Sequence, residues 1–600
     1  MKTKLNFILF LCFLPIIIFA QTSLITNINN RNTISLNGKW NIIIDPYEGG
    51  YYNYRYQPRN DGYFQNRKQK DKSELVEYDF DNSEIMNVPG DWNTQKEKLL
   101  YYEGTVWYKK SFSYQKKNNK RLFIYFGAIN YQSIIYINGK RIGEHEGGFT
   151  PFNFEITDEI NNGDNFIVVK VDNRRKRNGV PTIITDWWNY GGITRDVELV
   201  EVPETFIRDY FIHLKKGTND KIAGWIQLEG KEREQQIKIQ ITEINFEKKI
   251  FTDSKGFAEF EFDSKLDLWT PENPHLYDVK LLTSEDTTID QIGFRSIKTN
   301  GEKVLLNGKP VFLRGISIHE EAPFRSGRAY SKEDAVTLLT WAKELGCNFV
   351  RLAHYPHNEN MVRQADKMGI MVWSEIPVYW TILWDDSSTY ANALVQLRDM
   401  ITRDKNRAAV ILWSVANETP RGDSRLKFLT GLIGQAREYD ATRLITAATE
   451  IHSENNVITL DDPLSKSLDV IGVNEYLGWY WGKPDLASQM SWKSEFNKPM
   501  IISELGGGAL YNLHGDAETR WTEEYQENIY IQQVKMLKKI PFLEGVTPWI
   551  LMDFRSPQRT LPQIQDGWNR KGLISDKGFK KKAFYVLKNF YKEIKEKRTK

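Results

Sequence analysis

From about Thr33 to Pro203 apolar and polar residues alternate in short runs cut by turn residues. Leu36-Asn37-Gly38-Lys39-Trp40, Leu122-Phe123-Ile124-Tyr125-Phe126 and Ile134-Ile135-Tyr136-Ile137 before Asn138-Gly139 are the clearest cases. A period of two predicts half-buried strands, and Asn-Gly suits a tight hairpin, so this region is expected to be a β-sandwich. Residues 51–72, rich in Tyr, Asn, Gln and Lys, read as an exposed loop within it. Strand patterns continue through 204–298, for example Ile222-Ala223-Gly224-Trp225-Ile226 and Ile237-Lys238-Ile239-Gln240-Ile241. About 95 residues with that texture suit a seven-stranded immunoglobulin-like sandwich.

After about Thr299 buried runs alternate with helical spacing. Candidate strands are 311–315, 348–352, 371–375, 410–416, 444–448, 470–474, 500–504 and 545–549. Helices 332–345 and 361–368 between them stop at Gly346 and Gly369. Eight strands with helix-sized gaps predict a (β/α)8 TIM barrel. A doubly wound open sheet would usually carry a Gly-rich nucleotide turn after its first strand, whereas Ser317-Ile318-His319-Glu320-Glu321 stands there. The expected fold is therefore multidomain: a sandwich at 21–203, an immunoglobulin-like sandwich at 204–298 and a TIM barrel at 299–600.

Composition narrows the partners. With 81 Lys+Arg against 78 Asp+Glu in 600 residues there is no global field for nucleic acid. The 13% aromatic share, with 18 Trp and 29 Tyr, suits stacking on sugar rings. Met1-Lys2-Thr3-Lys4 followed by an apolar run to Ala20 predicts a secretory signal peptide at 1–20. An uncleaved anchor is the alternative, and a lipid anchor at Cys12 is disfavoured by bulky Leu11. Removal of the signal leaves Cys347 as the only cysteine, so no internal disulfide is expected. No later run is long enough to span a membrane. The protein is expected to be periplasmic or extracellular, and homo-oligomerisation is left open.

In a barrel, function collects where strands end at the carboxyl face. Strand two ends Arg351-Leu352-Ala353-His354, strand four Ala416-Asn417-Glu418, strand six Asn474-Glu475-Tyr476 and strand seven Ser503-Glu504. Glycoside cleavage needs one protonated and one ionised carboxyl group, and Glu418 and Glu504 suit those parts. Apolar Val415-Ala416 before Glu418 favours its neutral form, while Arg351 and a tyrosine would hold Glu504 ionised. No HExxH, paired CxxC or Walker run occurs, and the His354/His357 spacing is a poor metal argument. No cofactor or metal is expected.

Trp413-Ser414-Val415-Ala416-Asn417-Glu418 resembles the acid/base motif of glycoside hydrolase family 2, and Ile501-Ile502-Ser503-Glu504 its nucleophile motif. Trp107-Tyr108-Lys109-Lys110-Ser111-Phe112 and Gly147-Gly148-Phe149-Thr150-Pro151-Phe152 resemble its N-terminal jelly-roll sugar-binding domain. The resemblance implies a retaining exo-hydrolase in which Glu418 is the acid/base and Glu504 forms a covalent glycosyl intermediate. Within the family, Asn569-Arg570-Lys571 is similar to the Asn-x-Lys pair with which β-glucuronidases bind the sugar carboxylate. By the same resemblance Asp186, His319, Asn417, Tyr476 and Tyr480 would line the substrate site, and Arg351, His354, Trp549 and Arg555, at or just beyond strand ends, are expected there too. The substrate expected is a carbohydrate ending in β-D-glucuronic acid, as met in polysaccharide degradation. A β-galactosidase or β-galacturonidase of the same family, and a non-catalytic carbohydrate-binding protein, are the alternatives. Gut-bacterial glucuronidases of the family that act on small conjugates can carry a long lid loop here, and by that resemblance the compact stretch 375–413 implies a more open mouth that favours oligosaccharides.

Overall fold

The computed structural model describes residues 23–59 and 69–599. The expected signal peptide, with Cys12, and part of the 51–72 loop lie outside them; residues 54–59 and 69–72 of that loop are exposed. No helix among the described residues is long and apolar enough to cross a membrane.

Two antiparallel sheets form the N-terminal sandwich. One has four strands, Asn32–Ser35, Val197–Pro203, Lys120–Phe126 and Phe152–Glu155 in spatial order; the other has six, from Glu84–Val88 to Lys140–Glu146. Alternation along these strands places Trp40, Val106, Tyr108, Ile124, Phe126, Ile135, Val169 and Leu199 in the core between them. The next sandwich packs a three-stranded sheet on a four-stranded one around Ile212, Ile226, Ile239, Tyr277 and Phe294. That makes the seven strands expected of an immunoglobulin-like module.

The barrel closes with eight parallel strands: β1 (Leu313–Ile318), β2 (Phe349–Leu352), β3 (Met371–Glu375), β4 (Val410–Asn417), β5 (Leu444–Thr449), β6 (Val470–Asn474), β7 (Met500–Glu504) and β8 (Leu543–Val546). Its outer helices include α1 (Lys332–Leu345), α2 (Glu359–Met368), α3 (Ser387–Asp404), α4 (Asp423–Tyr439), α5 (Glu523–Leu537) and α6 (Lys582–Thr599). Helix α1 starts on a capping box between Ser331 and Asp334 and stops at Gly346, whose φ of 99° suits a residue without Cβ. Phe584, Leu587 and Phe590 of α6 are buried in the barrel's core cluster. Strand β8 ends at Val546, so Trp549 stands beyond it in a loop rather than on the strand as the pattern suggests.

The first sandwich and the barrel are joined by buried charge. Arg195 of the sandwich reaches Glu320, which also takes Arg328, and donates to the carbonyls of Phe149 and Pro356. Beside it Glu321 accepts from Tyr190 Oη at 2.8 Å and from the Arg555 backbone at 3.2 Å. Burial pushes the Glu321 carboxyl up to about 7. A carboxyl raised on folding stabilises the fold below its unfolded value, and that contribution is lost as pH climbs through the folded value. Glu321→Gln should therefore gain in melting temperature relative to wild type between pH 5 and pH 8. An unchanged difference across that window would show that Glu321 does not titrate at this junction.

Candidate active site

The carboxyl ends of β2, β3, β4, β6 and β7 converge on one charge network. Arg351 of β2, fully buried, donates to Glu375 of β3 through Nε (3.2 Å) and Nη2 (3.0 Å), and to Glu504 of β7 through Nη1 (2.7 Å). Its Nη2 also donates to Asn417 Oδ1 at 2.7 Å. Tyr476 Oη donates to the other oxygen of Glu504 at 2.6 Å. Burial and then the Glu504 charge raise the Tyr476 phenol well above its ordinary value, so it stays a donor. His354 sits between Glu375 (2.9 Å from Nδ1) and Glu504 (3.7 Å from Nε2). Burial works against ionisation of Glu375, but Arg351 and His354 outweigh it and hold that carboxyl below its usual range.

Glu418 stands one residue past β4 in the left-handed region, with φ of 50°. Such a conformation costs a non-glycine residue about 1–3 kcal/mol and persists where surroundings impose it. Here β4 shifts register against β5 between Ser414 and Asn417, and β6 shifts against β7 between Val473 and Asn474. Bulges of this kind re-aim side chains at strand ends. The Glu418 amide is held by the Ala448 carbonyl at 3.0 Å, and the chain after β3 runs alongside, its Trp380 amide on the Asn417 carbonyl at 3.0 Å. Trp380, also left-handed with φ of 53°, thereby brings Nε1 within 2.9 Å of Glu418 Oε2. Asn417 Nδ2 lies 3.4 Å from the same oxygen. Burial first and the Glu504 charge second raise the Glu418 carboxyl, while Trp380 and Asn474 pull the other way. Its neutral form is thus favoured by tertiary surroundings, whereas its sequence neighbours Val415 and Ala416 lie in the barrel core.

A second cluster stands at the far side of the mouth. Lys571 is buried, donates to Tyr480 Oη at 2.8 Å, and has the rings of Tyr476, Trp479 and Tyr480 within 4.8–5.8 Å. Among the described residues the other buried lysines, Lys109, Lys170, Lys405 and Lys581, each reach a carboxylate. Lys571 reaches none. A desolvated ammonium without a counter-ion is costly, and cation–π contacts offset only about 0.5–2 kcal/mol of that.

Asp186 reaches this cluster from the sandwich. Its Oδ1 accepts from Ser556 Oγ (2.6 Å) and Arg559 Nε (2.9 Å), and its Oδ2 from Arg559 Nη2 and Asn569 Nδ2 (3.0 Å). Those four donors use the roughly four lone-pair directions of a carboxylate, so Asp186 clamps Asn569 and Arg559 rather than holding out an open acceptor to a sugar hydroxyl. Asn569 Oδ1 accepts from the Lys571 amide at 3.2 Å, which leaves one N–H of its side chain uncommitted. His319 is buried and neutral, lowered well below its ordinary value by burial and then by His354 and His357. Its Nδ1 meets Tyr355 Oη at 3.2 Å, and its Nε2 has no partner. Trp549 packs on His354 and His319 at ring separations of 4.8 and 5.1 Å.

One expected residue is not brought in. Phe554 and Arg555 are consecutive on a strand, so their side chains take opposite faces. Phe554 turns to His319 (4.2 Å), and Arg555 therefore lies outside, over Trp568 (4.6 Å) with Nη2 on Ser326 at 3.3 Å. The arginine that does reach the cluster is Arg559, 3.3 Å from the Tyr480 hydroxyl. Glu375, Trp380, Asn474 and Arg559 were not marked by the sequence. The end of β3 carried the same strand-end signal as its neighbours and would have disclosed Glu375, whereas nothing local distinguishes Arg559. Among the described residues no group of three or more His, Cys, Asp or Glu side chains could hold a metal ion.

Three family models cover most of the chain: glycosyl hydrolases family 2, sugar binding domain, over 33–203; glycosyl hydrolases family 2 over 205–295; and glycosyl hydrolases family 2, TIM barrel domain, over 297–596. A β-glucuronidase of Paenibacillus borealis is 27% identical over 560 residues, spanning 85% of this chain and 92% of its own. The solved β-D-glucuronidase of Dictyoglomus thermophilum superposes with a TM-score of 0.77 at 26% identity, covering 94% of this chain and 97% of that one. A β-galacturonidase of Eisenbergiella tayi bound to galacturonate shares the fold, with a TM-score of 0.79 at 22% identity over 96% of this chain and 99% of that one.

Proposed function

The chain belongs to glycosyl hydrolases family 2 and is a glycoside hydrolase, and from that premise we propose that it removes terminal β-D-glucuronic acid with retention of configuration. The observation that carries the substrate is Lys571, a buried ammonium with no carboxylate of its own, beside an Asn569 side chain with one free N–H. A carboxylate on C5 of the sugar supplies the missing counter-ion and accepts both donors. A neutral hexose would leave the charge uncompensated. The β-glucuronidases of Paenibacillus borealis and Dictyoglomus thermophilum support the same reading.

Glu418, whose carboxyl is raised by burial, donates its proton to the glycosidic oxygen as Glu504 attacks the anomeric carbon. The C1–O bond breaks and a glycosyl ester forms on Glu504. Glu418, now ionised, takes a proton from water, which attacks C1 and releases Glu504. Arg351 and Tyr476 position the Glu504 carboxylate throughout, and unpartnered His319 Nε2 offers a contact to a sugar hydroxyl. Trp380 engages Glu418 Oε2 and so positions the acid.

A panel of 4-nitrophenyl β-D-glycosides tests the substrate: the glucuronide should be turned over far faster than the galactoside. The reverse order would sink the uronic-acid reading, and a galacturonide preference would move it to the C4 epimer. Trp380→Phe tests the acid. It should lose activity on poor phenol leaving groups by about 10-fold or more while sparing 2,4-dinitrophenyl glucuronide, which needs little protonation. Loss of an N–H donor to the ionised carboxylate raises the Glu418 value, so the alkaline limb of kcat/KM should move to higher pH. Equal losses on both leaving groups with an unmoved limb would make Trp380 a packing residue only.

We also propose that residues 1–20 direct export to the periplasm or beyond. A mature protein beginning at Gln21 is the expected result of N-terminal sequencing after secretion.

A further inference from the structure

In this barrel each helix after a strand starts at the carboxyl face, so α3 and α4 begin beside the catalytic mouth. The chain reaches α3 through residues 376–386, which carry Trp380, and reaches α4 through residues 418–422, which begin with Glu418. Between the start of α3 and residues 424–431 of α4 lies a cavity of about 560 Å³, within the roughly 300–1,000 Å³ usual for small-molecule sites. Trp384, Tyr390 and Phe428 form its aromatic lining, the first two half-buried and set edge-on to Phe428 at 5.3 and 5.0 Å. Asp385, Ser424 and Lys427 bring polar groups to it, and neither Asp385 nor Lys427 has an ion-pair partner among the described residues. Aromatic surface with nearby donors and acceptors is the lining a sugar ring uses, its C–H face on the ring and its hydroxyls on the polar groups.

The direction of the substrate selects the occupant. Lys571 and Tyr480 stand where the terminal sugar's carboxylate would be, and Glu418 protonates the oxygen leading to the rest of the chain. Whatever is attached to that oxygen leaves past Trp380, on the side of the β3 and β4 loops. Trp384 is four residues further along, at most about 14 Å of extended backbone away, a span bridged by a short oligosaccharide.

We propose that this cavity is a leaving-group subsite for a saccharide, which makes the enzyme a trimmer of uronic-acid-capped oligosaccharides. The proposal rests on the hydrolase reading above and deepens it.

The test compares kcat/KM of the full chain on 4-nitrophenyl β-D-glucuronide and on di-, tri- and tetrasaccharides capped by β-glucuronic acid, in 1→3 and 1→4 linkages. The same series capped by galacturonic acid runs in parallel, so a wrong choice of uronic acid leaves the chain-length test intact. The tetrasaccharide should exceed the disaccharide by about tenfold or more in one linkage, about 1.4 kcal/mol, mainly through KM. Trp384→Ala should cut that advantage below about twofold, with a much smaller change on the nitrophenyl substrate, which ends near Trp380. Because Trp384 also packs on Phe428, the double substitution Asp385→Ala with Lys427→Ala, at exposed positions, provides the second variant and should lower the advantage in the same sense. Chain-length independence in every series, or an advantage that survives both variants, overturns the subsite. Nitrophenyl glucuronide left uncleaved while the galacturonic series responds to length overturns the glucuronide reading alone. Turnover of neither series overturns both.

Discussion

Glu504→Ala should reduce kcat by on the order of 10⁴–10⁶-fold, the scale at which an enzyme loses its nucleophile while keeping its binding site. The effect is large because Arg351, Tyr476 and His354 all converge on this one carboxylate. A small external nucleophile makes the test specific. With azide and an activated glucuronide, Glu504→Ala should yield the α-glycosyl azide, since azide then attacks the free face from which Glu504 would have come. Glu418→Ala, which still forms the glycosyl-enzyme, should yield the β-azide. Near-normal kcat in Glu504→Ala would remove it as the nucleophile, and the same anomer from both variants would contradict retention through a covalent intermediate.

Lys571→Met should lower kcat/KM for glucuronides by roughly 30- to 1,000-fold, about 2–4 kcal/mol for a lost charge-assisted bond in a desolvated site. Neutral β-glycosides should be much less affected. Stability provides the sharper half of the prediction. An ammonium buried without a carboxylate opposes folding, so its replacement by an apolar side chain of similar length should leave the melting temperature unchanged or higher. A residue retained for packing would show the opposite: a lower melting temperature and equal losses on acidic and neutral substrates.

Much of this arrangement was legible along the chain. The eight apolar runs of the barrel and the strand-end residues Arg351, Asn417, Glu418, Tyr476 and Glu504 follow from period and from where barrels keep their chemistry. Three features did not. Arg555 was expected in the site because it follows Asp553-Phe554 after the last strand, but the alternation that sends Phe554 to His319 turns Arg555 away. Arg559 lies in a loop with no periodic signal, and its carboxylate partner, Asp186, comes from another domain. Trp380 looked like one aromatic among many until the segment after β3 was seen to pair with Asn417 and set its indole on Glu418.

The sequence by itself determined the architecture and set Glu418 and Glu504 at strand ends, because strand and helix periods and the residues at strand ends are local properties. Only the tertiary structure decided the surroundings of those carboxyl groups. Glu418 is raised by burial and by a charge 86 residues away, and Lys571 stands without a counter-ion although carboxylates are abundant in the chain. Both depend on which groups long-range packing excludes from water, and no run of neighbouring residues encodes that.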